Sequence, residues 1–429
     1  MNDEALEKAK IWADNLVNEA ISHTRPIADK RNQLLVGKFE RVLDAFKEEK
    51  VGPHHFSSSS GYAHSDEARD TIDRVFARVL GTESAAVRLQ FVSGTHAIAA
   101  SLFGVLRPGD RFISITGKPY DTLEEVIGLR GKGKGSLLEF GVLYEEISFL
   151  ENGKIDFSAL ENALQKETRL VFIQRSCGYS CRPSLSIDLI QEICSYIHSR
   201  QSNCVCFVDN CYGEFVEDKE PSHVGADLIA GSLIKNLGGT IVPTGGYVAG
   251  KSCLVEKACS RLTCPGIGKE GGVNFHLNRL ILQGLFLSPQ MVTEALNGAD
   301  IISILFQNLG FKVSPTVDQP RRDLIQCIRF NNPKTLEIIC NSFQSSSPIG
   351  AYLKPIPSST PGYETDLIMA GGTFVEGSTS EFSADAPLRS PYNLFVQGGT
   401  HQVHIQIALK RVLLELASKG ILAIPSPLM

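Results

Sequence analysis

The sequence predicts an α/β protein with a large domain built on a mostly parallel β-sheet and a smaller C-terminal α/β domain. From about residue 85, short apolar runs alternate with segments whose apolar residues recur at helical spacing. After roughly residue 290 a different series of segments begins, as expected for a second domain. The length of 429 residues and the 43% hydrophobic content are sufficient for two or three domains with a large core.

Residues 1–55 are predicted to form N-terminal helices and an arm. Apolar positions in IWADNLVNEAI and LLVGKFERVLDAF follow helical spacing, which predicts two amphipathic helices. The serine-rich stretch HHFSSSSGYAHSDEARD breaks this pattern and indicates an ordered loop or a mobile arm. The segment EARDTIDRVFARVLG then predicts another helix.

Residues 56–290 are predicted to form the large domain. Its strands are expected at AAVRLQFV, RFISIT, RLVFIQ, VCFVDN and DLIAGSL, with helices at HAIAASLFGVL, YDTLEEVIGL and LIQEICSYIHSR. Ligands of such sheets bind outside the carboxyl ends of the strands, so residues that directly follow a strand are the candidates for chemistry. Residues 291–429 are predicted to form the small domain, with segments IISILFQNLGFKVSP, DLIQCIRFNNPKTLEIICNSF and HIQIALKRVLLELASKG.

The charge balance favours a small-molecule ligand. With 42 Lys plus Arg against 47 Asp plus Glu, the net charge of −5 gives no electrostatic reason to expect nucleic acid or an anionic membrane as partner. No apolar run has the length of a membrane span, and the acidic, helix-like start MNDEALEKAKIWADNL is unlike a targeting peptide. We therefore expect a cytoplasmic protein.

The cysteines do not predict a disulfide framework or a metal site. There are 11, an odd number, all between Cys177 and Cys340 and without a CxxC pair. His401 and His404 have HxxH spacing, but the sequence suggests no third ligand, so a structural role is expected.

Lys235, in ADLIAGSLIKNLGG, is the first candidate functional residue. Its apolar flanks predict a buried backbone, and a buried ammonium is costly unless it is paired, neutralised or used covalently. A lysine that acts as a nucleophile and base needs a lowered pKa, which a largely apolar pocket together with cofactor chemistry is expected to give it.

Three further features follow predicted strands. Ser93, Gly94 and Thr95 form a small-residue turn before a helix, which suits a phosphate, although it is also an ordinary helix cap. Tyr120 could stack on a flat heterocycle or simply pack, and Asp209 needs a cationic partner or caps the next segment. With Lys235, these are the parts that hold pyridoxal 5'-phosphate.

The sequence resembles the fold-type I pyridoxal-phosphate enzymes of cysteine and methionine metabolism. Within that superfamily it is most similar to the aluminium resistance and methionine gamma-lyase family proteins, which are related to cystathionine beta-lyase. The blocks that carry this resemblance are GYAHSDEARDTIDRVFARVLGTESAAVRLQFVSGTHAI, IQRSCGYSCRPSLSI, GSLIKNLGG, RLTCPGIGKEGG and GSTSEFSADAPLRSPY. They cover most of the chain and point more strongly to cofactor and fold than to substrate.

The resemblance implies a role for each matching residue. Lys235 corresponds to the Schiff-base lysine, Asp209 to the aspartate that faces the pyridine nitrogen, and Tyr120 to the ring-stacking, leaving-group tyrosine. Ser93, Gly94, Thr95 and Ser232 correspond to the phosphate site, and Tyr62 to a tyrosine that related enzymes lend to a neighbouring subunit, although the close Tyr-x-Arg pattern is absent and Arg69 lies further on. Arg389 is the candidate for the substrate carboxylate, with a domain-interface ion pair as the alternative. The loop IQRSCGYSCRPS is expected to border the ring face, with Arg175, Tyr179 and Arg182 as polar candidates, of which Arg175 and Tyr179 are expected to contact the substrate.

The function implied is a pyridoxal-phosphate-dependent carbon–sulfur lyase. It would act on a sulfur-containing amino acid by β- or γ-elimination and release a thiol, ammonia and a 2-oxo acid. The alternatives are another fold-type I reaction, such as that of an aminotransferase, an aldolase or a desulfurase, and a non-catalytic cofactor-binding stress protein. The resemblance also implies a homodimer or homotetramer with shared active sites.

Overall fold

The computed structural model describes residues 3–62, 66–131 and 133–424. The chain divides into two compact units, one of residues 1–35 and 290–429 and one of residues 36–289. Residues 1–35 thus belong to the same unit as the C-terminal residues, and residues 36–55 belong to the other unit, whereas the sequence predicts residues 1–55 as a separate part. Among the described residues, no helix combines the length and the apolar character needed to cross a bilayer.

The N-terminal segment forms one helix, α1 (Asp3–Glu48), so the prediction of two helices is wrong. Pro26 lies inside α1, where it removes one intrahelical hydrogen bond. The helix continues because apolar side chains are buried on both sides of the proline, including Val17 before it and Val42 after it.

The unit of residues 36–289 contains the seven-stranded sheet. Its helices are α2 (Glu67–Leu80), α3 (Gly94–Val105), α4 (Asp121–Ile127), α5 (Phe157–Ala163), α6 (Ile187–Arg200) and α7 (Ser252–Leu262), and α8 (Asn278–Asn308) begins in it. Its strands are β1 (Ser84–Arg88), β2 (Arg111–Ser114), β3 (Leu143–Glu146), β4 (Leu170–Gln174), β5 (Val205–Asp209), β6 (Leu228–Ser232) and β7 (Gly246–Gly250).

The strand order is β1-β7-β6-β5-β4-β2-β3. Strands β2 to β6 pair in parallel, and β7 is antiparallel to both of its neighbours. Strands β4, β5 and β6 are buried along their whole length, as expected for a parallel sheet that is covered on both faces. The predicted α/β class with a large, mostly parallel sheet is confirmed.

The unit of residues 1–35 and 290–429 contains a five-stranded antiparallel sheet with the order β10-β11-β12-β9-β8. These strands are β8 (Lys312–Ser314), β9 (Gln326–Arg329), β10 (Leu367–Ala370), β11 (Ser383–Pro387) and β12 (Asn393–Gln397), with helices α9 (Pro333–Gln344) and α10 (Gln402–Ser418). Residues from α1, α8, α9, α10 and the sheet share one apolar core, which stabilises this unit.

Candidate active site

The carboxyl ends of β4, β5 and β6 bring the predicted site residues to one edge of the large sheet. Parallel pairing sets Gln174, the last residue of β4, opposite Asp209, and sets Asp209 opposite Ala230 on β6. Ser232 ends β6, and Lys235 follows three residues later. Because β5 and β6 point the same way, the carboxylate and the lysine meet at this edge.

Lys235 occupies the turn between β6 and a short 3-10 helix at Asn236–Gly238. It is half-buried, and its Nζ lies 3.8 Å from the centroid of the Tyr212 ring. Burial lowers the pKa of the Lys235 ammonium, but Cys211, Tyr212 and Asp209 raise the pKa by more, so it lies above its ordinary value. The lowering expected from the pocket together with a cofactor stays a prediction, because in the chain alone the groups near the amine raise its pKa by more than burial lowers it.

Asp209 is buried at the end of β5. The backbone N–H of Cys211 donates a hydrogen bond to Asp209 Oδ1 at 3.1 Å. Burial raises the pKa of the Asp209 carboxyl, while the positive charge of Lys235 and the Cys211 bond oppose that rise. The carboxylate therefore has a cationic neighbour, as expected of a buried aspartate.

The N-terminus of α3 lies beside Ser232. Ser93 is the N-cap of α3, and its Oγ accepts a hydrogen bond from the backbone N–H of His96 at 3.0 Å. A Cβ on Gly94 would lie 3.1 Å from Ser232 Cβ and 3.2 Å from Cys211 Sγ, so glycine permits this close approach. The first N–H groups of a helix have no partner within the helix, so this end of α3 offers donors next to the Ser232 hydroxyl.

Tyr120 caps α4 close to the same helix end. Its hydroxyl donates to Thr95 Oγ1 at 3.1 Å, and its backbone N–H donates to Gln174 Oε1 at 3.1 Å. Burial first, and then the negative charge of Asp209, raise the pKa of the Tyr120 phenol well above its ordinary value. Tyr120 is therefore held as a neutral phenol that can donate a proton.

Arg175 lies inside the protein and serves as a structural residue. Its guanidinium is fully buried and donates to Asn210 Oδ1 at 2.8 Å, to the Gly213 carbonyl at 2.9 Å and to Glu217 Oε2 at 2.9 Å. A guanidinium engaged in this way has no open face for a substrate, which corrects the sequence-based role. It fixes the turn that follows Asp209 instead.

The other candidates for substrate or subunit contacts lie in different surroundings. Arg182 is half-buried and donates to the Gln174 carbonyl at 2.7 Å, and Tyr179 in the same loop is half-buried. Tyr62 is 90% exposed, and residues 63–65, which follow it, lie outside the described part of the chain. Arg389 belongs to the other unit, between β11 and β12, so its predicted role stays a prediction.

Tyr212 and Cys211, in the turn after β5, belong to the site although the sequence-based candidates do not include them. Cys211 is buried against Gly94, and Tyr212 has a left-handed backbone with φ of 68° that lets its ring lie under Lys235. The available signal was their position directly after the predicted strand VCFVDN, the same signal that singles out Asp209.

Comparison with known proteins identifies the family. The methionine gamma-lyase family model matches residues 13–417. Protein YnbB of Bacillus subtilis is 46% identical over 370 residues, which are 86% of this chain and 88% of that protein. The structure of a carbon–sulfur lyase involved in aluminium resistance from Clostridium novyi is 42% identical, covers 97% of this chain and 100% of that chain, and has a TM-score of 0.91.

A second solved structure agrees with the first. It is a proposed cystathionine beta-lyase involved in aluminium resistance from Listeria monocytogenes, 45% identical with a TM-score of 0.90, and it covers 93% of this chain and 98% of that chain. More distant structures show the same fold, that of the fold-type I pyridoxal-phosphate enzymes. The predicted fold and resemblance are thus confirmed, and the chain belongs to the methionine gamma-lyase family.

Proposed function

We propose that this protein is a pyridoxal-phosphate-dependent carbon–sulfur lyase that acts on a sulfur-containing amino acid. The observation that carries the proposal is the convergence of Lys235, Asp209 and Tyr120 at one sheet edge, beside the N-terminus of α3. An amine, a buried carboxylate and a neutral phenol supply a base, a cation partner and an acid within one pocket. The carbon–sulfur lyase from Clostridium novyi supports the same class.

The residues present fit the cofactor. Gly94 leaves a space that a Cβ would fill beside Ser232, and the N-terminal N–H groups of α3 with the hydroxyls of Thr95 and Ser232 suit a phosphate. Asp209 would pair with the protonated pyridine nitrogen, which explains a carboxylate retained in a buried position. Lys235 would hold the aldehyde carbon.

The bound cofactor supplies an acceptor for the electron pair that remains on the substrate Cα once its proton is removed. Lys235, once its amine is neutral, takes that proton. Tyr120 faces Thr95 and stays protonated at neutral pH, so its hydroxyl can give a proton to the departing sulfur. Asp209 keeps its negative charge next to a cation throughout the cycle.

We further propose that Arg389 binds the substrate carboxylate, because a planar guanidinium can form a bidentate pair with it. We also propose that the protein forms homodimers or homotetramers in which Tyr62 of one subunit contributes to the active site of the next. The Tyr62 side chain is 90% exposed in the single chain, which fits a residue that contacts another subunit.

The test is an assay of purified, cofactor-loaded protein with cysteine, cystathionine, methionine and homocysteine. We expect a thiol and a 2-oxo acid to be released in equal amounts, and Lys235→Ala to abolish both. A reaction that consumes an added 2-oxo acid without release of thiol would instead indicate transamination. Cofactor that amino acids do not perturb would indicate a binding protein without this activity.

A further inference from the structure

A buried glutamate lies directly behind the Lys235 turn. Glu214 is fully buried, and Tyr247 on β7 donates a hydrogen bond from its hydroxyl to Glu214 Oε1 at 2.8 Å. A Cβ on Gly231 would lie 2.6 Å from that oxygen and 2.6 Å from Tyr247 Cε1. The two side chains therefore press against the backbone of β6, one residue before Ser232.

Glu214 is also joined to the residue that follows the lysine. The side-chain Nδ2 of Asn236 donates to the Glu214 carbonyl oxygen at 2.8 Å. Asn236 is fully buried, so this bond ties the backbone next to Lys235 to the turn that contains Tyr212 and Glu214. This bond involves the Glu214 backbone, so the Glu214 side chain acts on Lys235 through its charge rather than through the bond.

Glu214 and Asn236 each have a buried side-chain oxygen that accepts no hydrogen bond from the described residues. Glu214 Oε2 and Asn236 Oδ1 both have no hydrogen-bond partner among the described residues. A buried acceptor left without a donor destabilises the folded chain, and it does so more strongly if it carries charge. A proton on Glu214 Oε2 removes the charge and turns one of the two acceptors into a donor.

The charged and titratable groups around Glu214 lie on several elements. They are Tyr247 on β7, Glu220 and Cys211 in the segment after β5, Lys235 after β6, and Lys38 on α1, whose ammonium donates to the carbonyls of the next two residues, Phe215 and Val216. Burial raises the pKa of Glu214 to about 8, and the Tyr247 bond and the Lys235 charge only partly oppose it. At neutral pH the carboxyl is therefore predominantly protonated.

We propose, on the basis of the proposed function, that neutral Glu214 is a positioning residue for Lys235 and that its ionisation suppresses the reactivity of the lysine. In its neutral form Glu214 fixes the Lys235–Asn236 turn without adding a negative charge behind the amine. When Glu214 ionises, the new charge favours the ammonium form of Lys235, which cannot act as nucleophile or base.

The sign of the pH effect follows from this order of events. Below the pKa of about 8 Glu214 is neutral, and above it the carboxylate is present. Activity should rise with pH because Lys235 loses its proton. In mildly alkaline solution the Glu214 carboxylate opposes this rise, since its negative charge favours the ammonium form of Lys235. A shift of one unit in the lysine pKa changes its deprotonated fraction by roughly tenfold.

The experiment compares wild type with Glu214→Gln, which keeps the shape and is neutral at every pH. Two readouts are measured from about pH 7 to about pH 9.5, on either side of the Glu214 pKa of about 8. They are turnover with a sulfur amino acid and the initial rate at which pyridoxal phosphate becomes fixed to Lys235 under borohydride. For each readout we divide the wild-type rate by the Glu214→Gln rate at the same pH. We expect this ratio of rates to fall by roughly tenfold from the lower to the upper end of the range.

Two controls separate electrostatics from damage to the fold. Glu256→Gln, an exposed glutamate on α7, should leave the pH profile of both readouts as in wild type. Tyr247→Phe removes a bond that lowers the Glu214 pKa, so the pH at which Glu214 ionisation begins to suppress the two rates should move to higher values. This second variant also tests the proposal if Glu214→Gln does not fold.

The outcomes distinguish the two proposals. Fixation that shows the predicted pH ratio without any release of thiol would leave the Glu214 proposal standing and overturn the lyase. Turnover and fixation rates with the same pH dependence in wild type and Glu214→Gln would overturn the Glu214 role and leave the lyase intact. No fixation at Lys235 in wild type would overturn both.

Discussion

The Nζ of Lys235 lies 3.8 Å from the centroid of the Tyr212 ring, and the ring is placed there by the left-handed backbone of Tyr212, with φ of 68°. A cation above an aromatic face is stabilised by the ring quadrupole, and the acidic groups around Lys235 add to that effect. In the chain without a ligand, Lys235 is therefore protonated at neutral pH. A ligand that draws Lys235 into a covalent bond must release its proton.

The first prediction concerns the proton on Lys235. Asp209 contributes to the raised pKa of Lys235, so Asp209→Asn should lower the Lys235 pKa in cofactor-free protein. Competitive acetylation as a function of pH, with exposed Lys8 as the internal reference for the reagent, measures the change. An unchanged or higher Lys235 pKa would show that the Asp209 charge does not act on the amine.

The second prediction concerns the site of cofactor attachment. Borohydride reduction of loaded protein should place the cofactor mass on the peptide that contains Lys235. Lys235→Ala should show no attachment and should have a lower melting temperature, because the Tyr212 ring and the Asp209 charge stabilise the Lys235 ammonium in the folded chain. Lys251→Ala, which removes a surface lysine paired with Asp227, is the matched control and should be labelled at Lys235 as in wild type.

Most of the large sheet could be predicted from sequence because β1, β2, β4, β5 and β6 contain continuous apolar runs. Strand β3, with sequence LYEE, was missed since it carries two glutamates and is partly exposed. Strand β7, GYVAG, was missed because glycines at both ends hide its strand character. Both strands form because pairing with neighbouring strands outweighs the weak local strand propensity of their sequences.

Site residues that directly follow a strand could be predicted from sequence, whereas the contacts that they make with distant residues could not. Asp209 and Lys235 follow apolar strands, so position alone selects them. Arg175 also follows a strand, but its partner Glu217 lies 42 residues further on, and no local pattern reveals that bond. The raised pKa of Lys235 could not be predicted from sequence either, because it depends on Tyr212 and Cys211, which only the fold brings close to the amine.

The third prediction assigns a proton to Tyr120. The Tyr120 pKa is raised well above its ordinary value, so the hydroxyl stays protonated across the neutral and mildly alkaline range. Tyr120→Phe keeps the ring and removes the donor to Thr95, and it should lower kcat by about 10²-fold or more with a small change in cofactor affinity. Thr95→Val removes the acceptor of that bond together with a hydroxyl of the proposed phosphate site, so it is expected to weaken cofactor binding and to affect the kcat of loaded protein less. Equal kcat values for Tyr120→Phe and wild type would exclude the acid role.

The fourth prediction separates structure from substrate binding at Arg175. Arg175→Gln removes charged hydrogen bonds to Asn210, Gly213 and Glu217 from a fully buried site. Loss of one partner from such a buried network costs about 3–5 kcal/mol, so the free energy of unfolding should fall by that order. Denaturant unfolding measures the loss. A variant of normal stability with a raised KM would instead restore Arg175 as a substrate ligand.

The last prediction compares two glycines in different settings. A Cβ on Gly94 would lie 3.1 Å from Ser232 Cβ and 3.2 Å from Cys211 Sγ, so Gly94→Ala should narrow the proposed phosphate site. We expect the dissociation constant of pyridoxal phosphate to rise by about tenfold, which corresponds to about 1.4 kcal/mol.

Gly37, inside α1, is the matched control, because a Cβ added there would have no atom within 4 Å among the described residues. Gly37→Ala should therefore raise the free energy of unfolding by about 0.5–1 kcal/mol and leave cofactor affinity unchanged. Equilibrium dialysis and denaturant unfolding of both variants give the two quantities. If Gly94→Ala bound the cofactor as wild type does, the N-terminus of α3 would not be the phosphate site, and the fit of the cofactor would have to rest on Lys235 and Asp209 alone.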